Sequence, residues 1–388
     1  MKHPLPSGLV FFLAASLVGS SCQPEPVIQN IPSPTPLPDP AETQGTAPGG
    51  SGGLENPAEA TLTPVASSEI TPAMAQPVEQ PVIQIPLAGP AAAEETEFSG
   101  LAWYGEALVL LPQYPERMSG RGEPGVLFTL QKSRILAFLD GESQGPLVPV
   151  ELPLHSPDLE EIIPNYEGFE AIAITGDRVF LTIESGELGP MMGYLVAGAI
   201  APDLMEIQLD ASTLVSIPPQ ANLLNRGEEA LVAAGDRLLS LFETNGARIV
   251  PDPVAHRIDL ETYAVDTVAF PNVEYRITDA TPADPDGRFW TLNTFFPGDI
   301  FIFPETDPIA NQYGQGDTHS RELAVERLVQ MQLGPEGITL AETPPIQIEL
   351  LDSFQGRNWE GLAELPGRGF LLVTDRYPET ILAFVPYP

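Results

Sequence analysis

The sequence predicts an all-β fold, a β-propeller of five blades, with a six-bladed ring as the alternative. Three features of its 388 residues support this: a hairpin motif that occurs five times, a strand-like segment before each hairpin, and a last repeat that lacks one strand. Internal repetition at this scale is typical of proteins built from similar neighbouring units. We therefore expect one propeller domain over residues 81–388, preceded by segments of different composition.

Each of the five hairpin motifs consists of an apolar strand, a turn that contains glycine, and a second apolar strand. Dipeptides such as Gly-Asp and Asp-Gly at these turns are signals of tight β-hairpins. The motifs occupy residues 98–115, 169–185, 228–245, 278–295 and 359–378. Some intervals between them exceed the roughly 40–50 residues of a plain blade, which indicates insertions or a degenerate sixth blade.

A further strand-like segment precedes each hairpin, and its clearest copies are PVIQIPL (81–87), VPVELPL (148–154) and PPIQIEL (344–350). With the other apolar runs, each repeat holds about four strands, as a propeller blade does. The last repeat ends with three strands, whereas PVIQIPL has no hairpin before it. We expect PVIQIPL to form the outer strand of the last blade, which closes the ring and leaves no unpaired edge.

Polar side chains recur at two equivalent places in these apolar hairpins. Residues equidistant from a hairpin turn face each other across the strand pair, and the first strand of each propeller blade lines the central channel. We therefore expect the recurring polar residues to surround one mouth of the channel. They are Ser99 and Gln113, Glu170 and Glu184, Glu229 and Glu243, Asp279 and Asn293, and Glu360 and Asp375.

Arginine stands three residues before the first polar position in three of the repeats, as Arg226, Arg276 and Arg357. Seven carboxylates and three guanidinium groups around one mouth leave excess negative charge. Either some of the carboxylates are protonated there, or a cation binds. A purely structural role, in which Arg–Glu pairs lock neighbouring blades together, is a further alternative.

A set of oxygen ligands suits Ca²⁺, which binds six to eight of them. The candidate metal ligands are Glu170, Glu184, Glu229, Glu243 and Asp279. The three arginines suit a small anion or a phosphoester, because guanidinium groups bind such anions in a bidentate way. The candidate ligand-binding residues are Arg226, Arg276, Arg357 and Asn293.

The N-terminal residues 1–22 read as a lipoprotein signal peptide: Lys2 provides a positive charge, an apolar stretch follows, and small residues precede the single cysteine, Cys22. We expect Cys22 to be lipidated, so that an acyl chain anchors the exported protein to the outer face of a bacterial membrane. A soluble secreted protein is the alternative. Residues 23–80 are rich in proline and poor in aromatic residues, which predicts a disordered linker.

The composition excludes several classes of function. Seventeen basic and 53 acidic residues give a net charge of −36, which repels the phosphates of nucleic acids. Without a polybasic cluster, contact with a membrane is expected only through the lipid anchor. One cysteine excludes a disulfide framework. We expect a monomer.

The segments NRGEEAL, FSGLAWYGEALVLL and RNWEGLAELPGRGFLLVTDRYPETILAF resemble the phytase-like β-propeller family, which is described as having esterase-like activity. The resemblance covers roughly residues 96–388. It implies a propeller, an exported location and hydrolysis of esters or phosphoesters assisted by Ca²⁺. Residue by residue, Glu229, Glu360 and Asp375 match the family best.

Two functions are compatible with these patterns. The first is a surface-tethered hydrolase of phosphoesters or related esters, in which Ca²⁺ polarises the substrate and water is activated near the candidate catalytic residues Glu360 and Asp375. The alternative is a non-catalytic module that binds a small molecule, a glycan or an envelope protein at the same mouth.

Overall fold

A computed structural model describes residues 76–186, 191–352, 356–376 and 378–388. The predicted signal peptide, Cys22 and most of the predicted linker lie outside the described residues. The predicted linker includes Glu79 and Gln80, yet both residues contact the folded domain. Gln80 forms a parallel bridge with Ile348, and the Glu79 carboxylate accepts hydrogen bonds from the backbone of an insertion near residue 318.

Strand β1 (Ile83–Ile85) is followed by four-stranded antiparallel units, which we call blades 1 to 5. Blade 1 contains β2 (Phe98–Tyr104), β3 (Ala107–Pro112), β4 (Gly125–Gln131) and β5 (Val150–His155). Blade 2 contains β6 (Tyr166–Thr175), β7 (Arg178–Ser185), β8 (Met192–Ile200) and β9 (Ile207–Ile217). Blade 3 contains β10 (Glu228–Ala234), β11 (Arg237–Phe242), β12 (Val254–Asp259) and β13 (Val265–Ala269).

Blade 4 contains β14 (Arg276–Ala280), β15 (Arg288–Phe295), β16 (Val325–Gly334) and β17 (Gly337–Leu340), and the short β18 (Ile346–Gln347) also pairs with β16. Blade 5 contains β19 (Trp359–Leu365), β20 (Gly369–Thr374) and β21 (Leu382–Pro386), and β1 is its fourth strand. The α-helices are α1 (Lys132–Leu139), α2 (Leu159–Ile162) and α3 (Pro308–Tyr313). Short 3₁₀ turns lie at Pro90–Ala92, Glu94–Thr96, Pro115–Met118 and Ile300–Ile302.

The five blades close into a ring, which confirms the predicted five-bladed propeller. Each innermost strand contacts the next one around the axis, from β2 to β6, β10, β14, β19 and back to β2. The predicted N-terminal closure is also confirmed, because Ile83, Gln84 and Ile85 pair with Phe384, Ala383 and Leu382 of β21. The outer strands of blades 1 and 2 are additionally joined by a short parallel contact between β5 and β9.

The core consists of apolar layers between neighbouring blades. Strands such as β3 and β20 are buried on both faces, as their uninterrupted apolar sequences predict. Phe98 and Phe128 pack edge to face in the layer that blade 1 shares with blade 5, and Trp359 is fully buried between blades 4 and 5. No helix among the described residues has the length and apolar character needed to cross a membrane.

Candidate active site

The innermost strand of every blade contains a β-bulge at the same place. The pairing with the second strand skips one residue, which a bulge leaves unpaired and re-aims. The skipped residues are Ser99, Glu170, Glu229, Thr278 and Glu360. Four of these five residues line one cavity of about 630 Å³ at a mouth of the channel, and Thr278 is the exception. Bulges therefore bring the recurring polar residues together.

The second strand of each hairpin supplies an equivalent polar residue opposite the bulge. In each blade, the residue before the bulge pairs with a residue of the second strand, and the polar residue comes directly after that partner. These polar residues are Gln113, Glu184, Glu243, Thr294 and Asp375. Gln113, Glu184 and Asp375 line the cavity. Glu243 is completely buried and contacts two of the arginines that line the cavity. The convergence predicted from the repeats is thus found in blades 1, 2, 3 and 5.

The prediction for blade 4 was wrong by one residue. Asp279 and Asn293 lie next to the equivalent positions, and neither lines the cavity. The Asp279 carboxylate accepts hydrogen bonds from the backbone amides of Leu362 and Ala280, at 2.6 and 2.8 Å. The turn from Ala280 to Arg288 is longer than the turns of the other blades. Choosing two residues at equal distances from the turn therefore gave the wrong strand register for blade 4. A register error of one residue places a side chain on the opposite face of the sheet.

Asn293 and Arg357 have structural contacts instead of the predicted ligand-binding role. The Asn293 amide donates to the carbonyl oxygens of Glu274 and Arg276, at 2.8 and 2.9 Å. Arg357 donates to the buried Glu326 carboxylate at 2.6 Å and to the carbonyl oxygen of residue 349. Both side chains lie away from the cavity and hold strand ends or loops in place.

The cavity lining is rich in charge. Its acidic residues are Glu97, Glu170, Glu184, Glu229, Asp299, Glu360 and Asp375, and its basic residues are Arg117, Arg226, Arg276 and Arg376. Seven acids against four arginines leave a formal charge of −3. No histidine, lysine or cysteine stands among the described residues of the lining.

Arg276 lies at the centre of an ion-pair network at the base of the cavity. Its guanidinium group contacts the Glu243 carboxylate through Nε and donates from Nη2 to Glu360 Oε1 at 2.9 Å. Nη1 donates to Asn358 Oδ1 at 2.6 Å, and the Asn358 amide in turn donates to Asp375 at 3.0 Å. This network links blades 3, 4 and 5, and it commits every arm of the guanidinium group to the protein.

Arg226 is held in a similar way. It donates from Nη2 to Asp299 Oδ1 at 2.7 Å, and its Nε lies 3.5 Å from Glu243 Oε2. Of the three arginines predicted to bind an anion, two therefore reach the mouth, and both form ion pairs there with the protein's own carboxylates.

Four glutamates of the cavity have raised pKa values because they are buried close to one another. Burial raises the pKa of Glu184 to about 8, with a further contribution from Glu243. Burial raises the pKa of Glu360 to about 7, although Arg276 acts in the opposite direction. Burial and repulsion by neighbouring glutamates raise the pKa values of Glu170 and Glu229 well above the ordinary value. The excess negative charge is thus reduced by protons.

The residues do not fit the predicted Ca²⁺ site. Among the described residues, no three Asp, Glu, His or Cys side chains are grouped so that they could hold a metal ion. Of the five candidate ligands, Asp279 lies outside the cavity and Glu243 is bound by arginine. Positive charge from Arg226 and Arg276 stands where the calcium ion was expected.

The rim and base of the cavity include residues that the repeat pattern did not identify. Asp299 and Asn358 bind the central arginines, and Tyr114 carries the Arg117 guanidinium group 3.4 Å above its ring. Glu97 receives a hydrogen bond from Arg376 at 2.6 Å and lies 3.7 Å from Arg117. Glu97, Arg117 and Asp299 lie outside the repeated motifs and Asn358 directly precedes the blade 5 motif, so no repeat signal marked them. Tyr114 and Arg376 lie inside motifs, each directly after a recurring polar residue.

No known family model matches the chain, and no curated protein matches it. Similar solved structures include a GH32 β-fructofuranosidase from Bombyx mori, with 10% identity and a TM-score of 0.41 over 76% of this chain and 62% of that enzyme. An exo-β-1,3-galactanase from Phanerochaete chrysosporium has 10% identity and a TM-score of 0.42, over 78% and 64%. A GH62 α-L-arabinofuranosidase from Coprinopsis cinerea has 6% identity and a TM-score of 0.41, over 79% and 96%. At this level the likenesses assign no activity.

Proposed function

We propose that the mouth hydrolyses a glycosidic bond, with Glu229 as the general acid and Glu360 as the base or nucleophile. Glycoside hydrolysis requires two carboxyl groups in different protonation states and no other reactive group. The observation that carries the proposal is the contrast between these two glutamates in one cavity. Glu360 is hydrogen-bonded to Arg276, which favours its ionised form, whereas Glu229 forms no ion pair with an arginine among the described residues.

The raised pKa values support this assignment of roles. Burial and the neighbouring glutamates raise the pKa of Glu229 well above its ordinary value, which favours the protonated form that donates a proton to a leaving group. The pKa of Glu360, at about 7, leaves a large ionised fraction at the same pH. Two carboxyl groups whose environments separate their protonation states are the pattern expected for an acid and a base in one site.

The remaining groups of the lining favour carboxyl chemistry over acyl or phosphoryl transfer. Ser99 is the single serine of the lining, and its hydroxyl group donates to the carbonyl oxygen of Phe169 at 2.8 Å, without a histidine nearby in the lining. The arginines at the base, Arg226 and Arg276, are already paired. The phosphoester and Ca²⁺ parts of the sequence-based hypothesis therefore have less support than acid–base hydrolysis.

The cavity also suits a hydroxyl-rich molecule. Asn225, Gln113 and Asn358 present amide groups, and Tyr114 and Phe296 present aromatic rings. Burial raises the pKa of Tyr114 to about 12, so its phenol stays a hydrogen-bond donor. Tethering through Cys22 would place such an activity at the cell surface, and this part stays a prediction from the sequence.

A panel of aryl glycosides tests the proposal, with an aryl ester and an aryl phosphate as comparisons. We expect glycoside turnover to fall by about 10²–10⁴ in Glu229→Gln for poor leaving groups and much less for good ones, because only a poor leaving group needs a proton. Glu360→Gln is expected to lose turnover for both kinds of leaving group. The control is Glu206→Gln, whose carboxylate is 56% exposed and remote from the lining.

Two results would contradict this function. One is glycoside turnover that Glu229→Gln and Glu360→Gln leave unchanged. The other is turnover of the aryl ester or the aryl phosphate alone. The first result would refute the roles of Glu229 and Glu360, and the second would refute the cleavage of a glycosidic bond.

A further inference from the structure

The segment that precedes β1 is held against blade 4 by the side chain of Glu79. Its carboxylate accepts hydrogen bonds from the backbone amides of Thr318 and His319, at 2.9 and 3.0 Å, and lies 2.7 Å from Nδ1 of the His319 ring. The side chains of Glu79 and His319 are only 7% and 3% exposed. One buried carboxylate is thus bound at the end of the insertion between β15 and β16, and His319 supplies both a backbone and a ring donor.

The backbone on both sides fits closely around this contact. A Cβ added at Gly316 would overlap the Glu79 side chain, and the Gly316 amide donates to the Gln347 side chain at 2.6 Å. Directly after Glu79, the backbone of Gln80 forms hydrogen bonds with that of residues 347 and 349, at 2.7 and 2.9 Å. The Glu79 contact is therefore continuous with the pairing that leads into β1.

The His319 ring is neutral, because the partners of its two nitrogens fix the position of a single proton. The backbone amide of Glu326 donates to Nε2 at 3.2 Å, so Nε2 carries no proton. Nδ1 therefore carries the proton and donates to Glu79. A second proton on the ring would set the N–H group of Nε2 against the N–H group of Glu326, and this contact would be lost.

The surroundings of the ring on blade 4 also disfavour a second proton. Burial lowers the pKa of His319 from its ordinary value of 6.5, and the charge of Arg327 acts in the same direction. Arg327 is held in place by Asp307 at 2.7 Å. The Glu326 carboxylate would favour a positive ring, but it is bound by Arg357 at 2.6 Å.

Acid acts on Glu79 in the same direction as on His319. Although burial raises the pKa of Glu79, the hydrogen bonds from His319 and Thr318 lower it below the ordinary value of 4.5. The bond with Glu79 offsets only part of the effect of burial on His319. Both side chains therefore bind protons less readily when this contact is closed than when it is open. The contact is complete above pH 6.5 and is progressively lost as the pH falls.

We propose that Glu79 and His319 form a latch that acid opens, which releases residues 76–80 from blade 4 while the ring of blades stays closed. Protonation of His319 breaks its bond with the Glu326 amide, and protonation of Glu79 weakens the bonds that the carboxylate accepts. The release is local, because residues 83–85 are held separately by their ladder with β21. The freed residues would lengthen the segment that precedes the propeller. This latch does not depend on the proposed hydrolysis.

The experiment is amide hydrogen exchange of the intact protein between about pH 7.5 and about pH 5, corrected for the intrinsic effect of pH on exchange. We expect the protection of the Gln80, Thr318 and His319 amides to fall by about tenfold over this range, which is the effect of one unit of pKa difference. Amides of β11 report global unfolding and should keep their protection.

Three variants separate titration from packing. His319→Gln should remove the pH dependence of protection over this range, whereas Glu79→Gln and Gly316→Ala should lower protection already at neutral pH, the first by removing the charge and the second by displacing Glu79. The control is Glu206→Gln, which removes the partner of His155 in an ion pair whose side chains are 39% and 56% exposed. It should leave exchange at the latch unchanged.

Three results would overturn the inference. The first is latch protection that does not change with pH in the parent protein. The second is a pH dependence that persists unchanged in His319→Gln. The third is a loss of protection that occurs together with that of β11, since the release would then be global unfolding.

Discussion

Glu184 shows how a single side chain makes the stability of the fold depend on pH. Burial and the neighbouring carboxylates raise its pKa from 4.5 to about 8, so the folded state retains a proton that the unfolded state releases. The folded state binds more protons between these values, and its stability falls as the pH rises. The contribution is fully present below pH 4.5 and is lost as the pH rises through about 8.

We expect Glu184→Gln to flatten this pH dependence, because the amide cannot ionise. Each unit of pKa difference corresponds to about 1.4 kcal/mol, so the variant should be more stable than the parent at alkaline pH and similar to it at acidic pH. Chemical denaturation across the pH range measures the effect. A stability difference that does not change with pH would contradict the raised pKa of Glu184.

Arg276 is the residue whose loss should cost most. Its guanidinium group binds Glu243, Glu360 and Asn358, and it is 6% exposed. Arg276→Met leaves buried carboxylates without their counter-charge, which typically costs about 3–5 kcal/mol. Arg257→Met is the control, since its ion pair with Asp266 is exposed and contributes about 0–1 kcal/mol. Equal effects of the two substitutions on the free energy of unfolding would contradict the central role of Arg276.

At the scale of the elements, the strand pattern was predictable and the register was not always so. Apolar strands, glycine turns and the missing strand of blade 5 identified the hairpins and the closure by β1. Ser99, Glu170, Glu229 and Glu360 were found because short turns give equal strand arms. Thr278 was missed because the longer turn of blade 4 shifts the register by one residue.

Arg357 shows a second limit of the sequence. Its spacing from the motif of blade 5 equals that of Arg226 in blade 3, yet its partner is Glu326 of blade 4. Side-chain direction in a loop depends on contacts with other blades, and the repeat contains no information about them. Asp299 was missed for the same reason, since it reaches Arg226 from a loop of blade 4.

The closing strand β1 offers a matched pair of substitutions. Ile85 is 1% exposed and packs between blades, whereas Ile83, in the same strand, is 42% exposed. We expect Ile85→Ala to destabilise the protein by about 2–5 kcal/mol through lost burial and a cavity, and Ile83→Ala to have a much smaller effect. Thermal and chemical unfolding measure both. Similar effects of the two changes would contradict the burial of Ile85 between the blades.

At the scale of the whole molecule, a closed ring with a net charge of −36 must tolerate repulsion between its own carboxylates. Self-repulsion of this kind disfavours the compact state and is screened by salt. We expect the midpoint of thermal unfolding to rise as sodium chloride is added from low to physiological ionic strength. A midpoint that falls over this range would show that screened ion pairs outweigh the repulsion.

The central claim is that the blades bring several buried glutamic acids to one mouth, where burial and mutual repulsion raise their pKa values. The most direct measurement is a carbon NMR titration of protein labelled at the glutamate carboxyl carbons, with Glu184→Gln and Glu229→Gln used for assignment. We expect separate resonances that titrate near pH 8 for Glu184, near pH 7 for Glu360, and well above the ordinary value for Glu170 and Glu229. Titration of all these glutamates near the ordinary value of 4.5 would contradict the account.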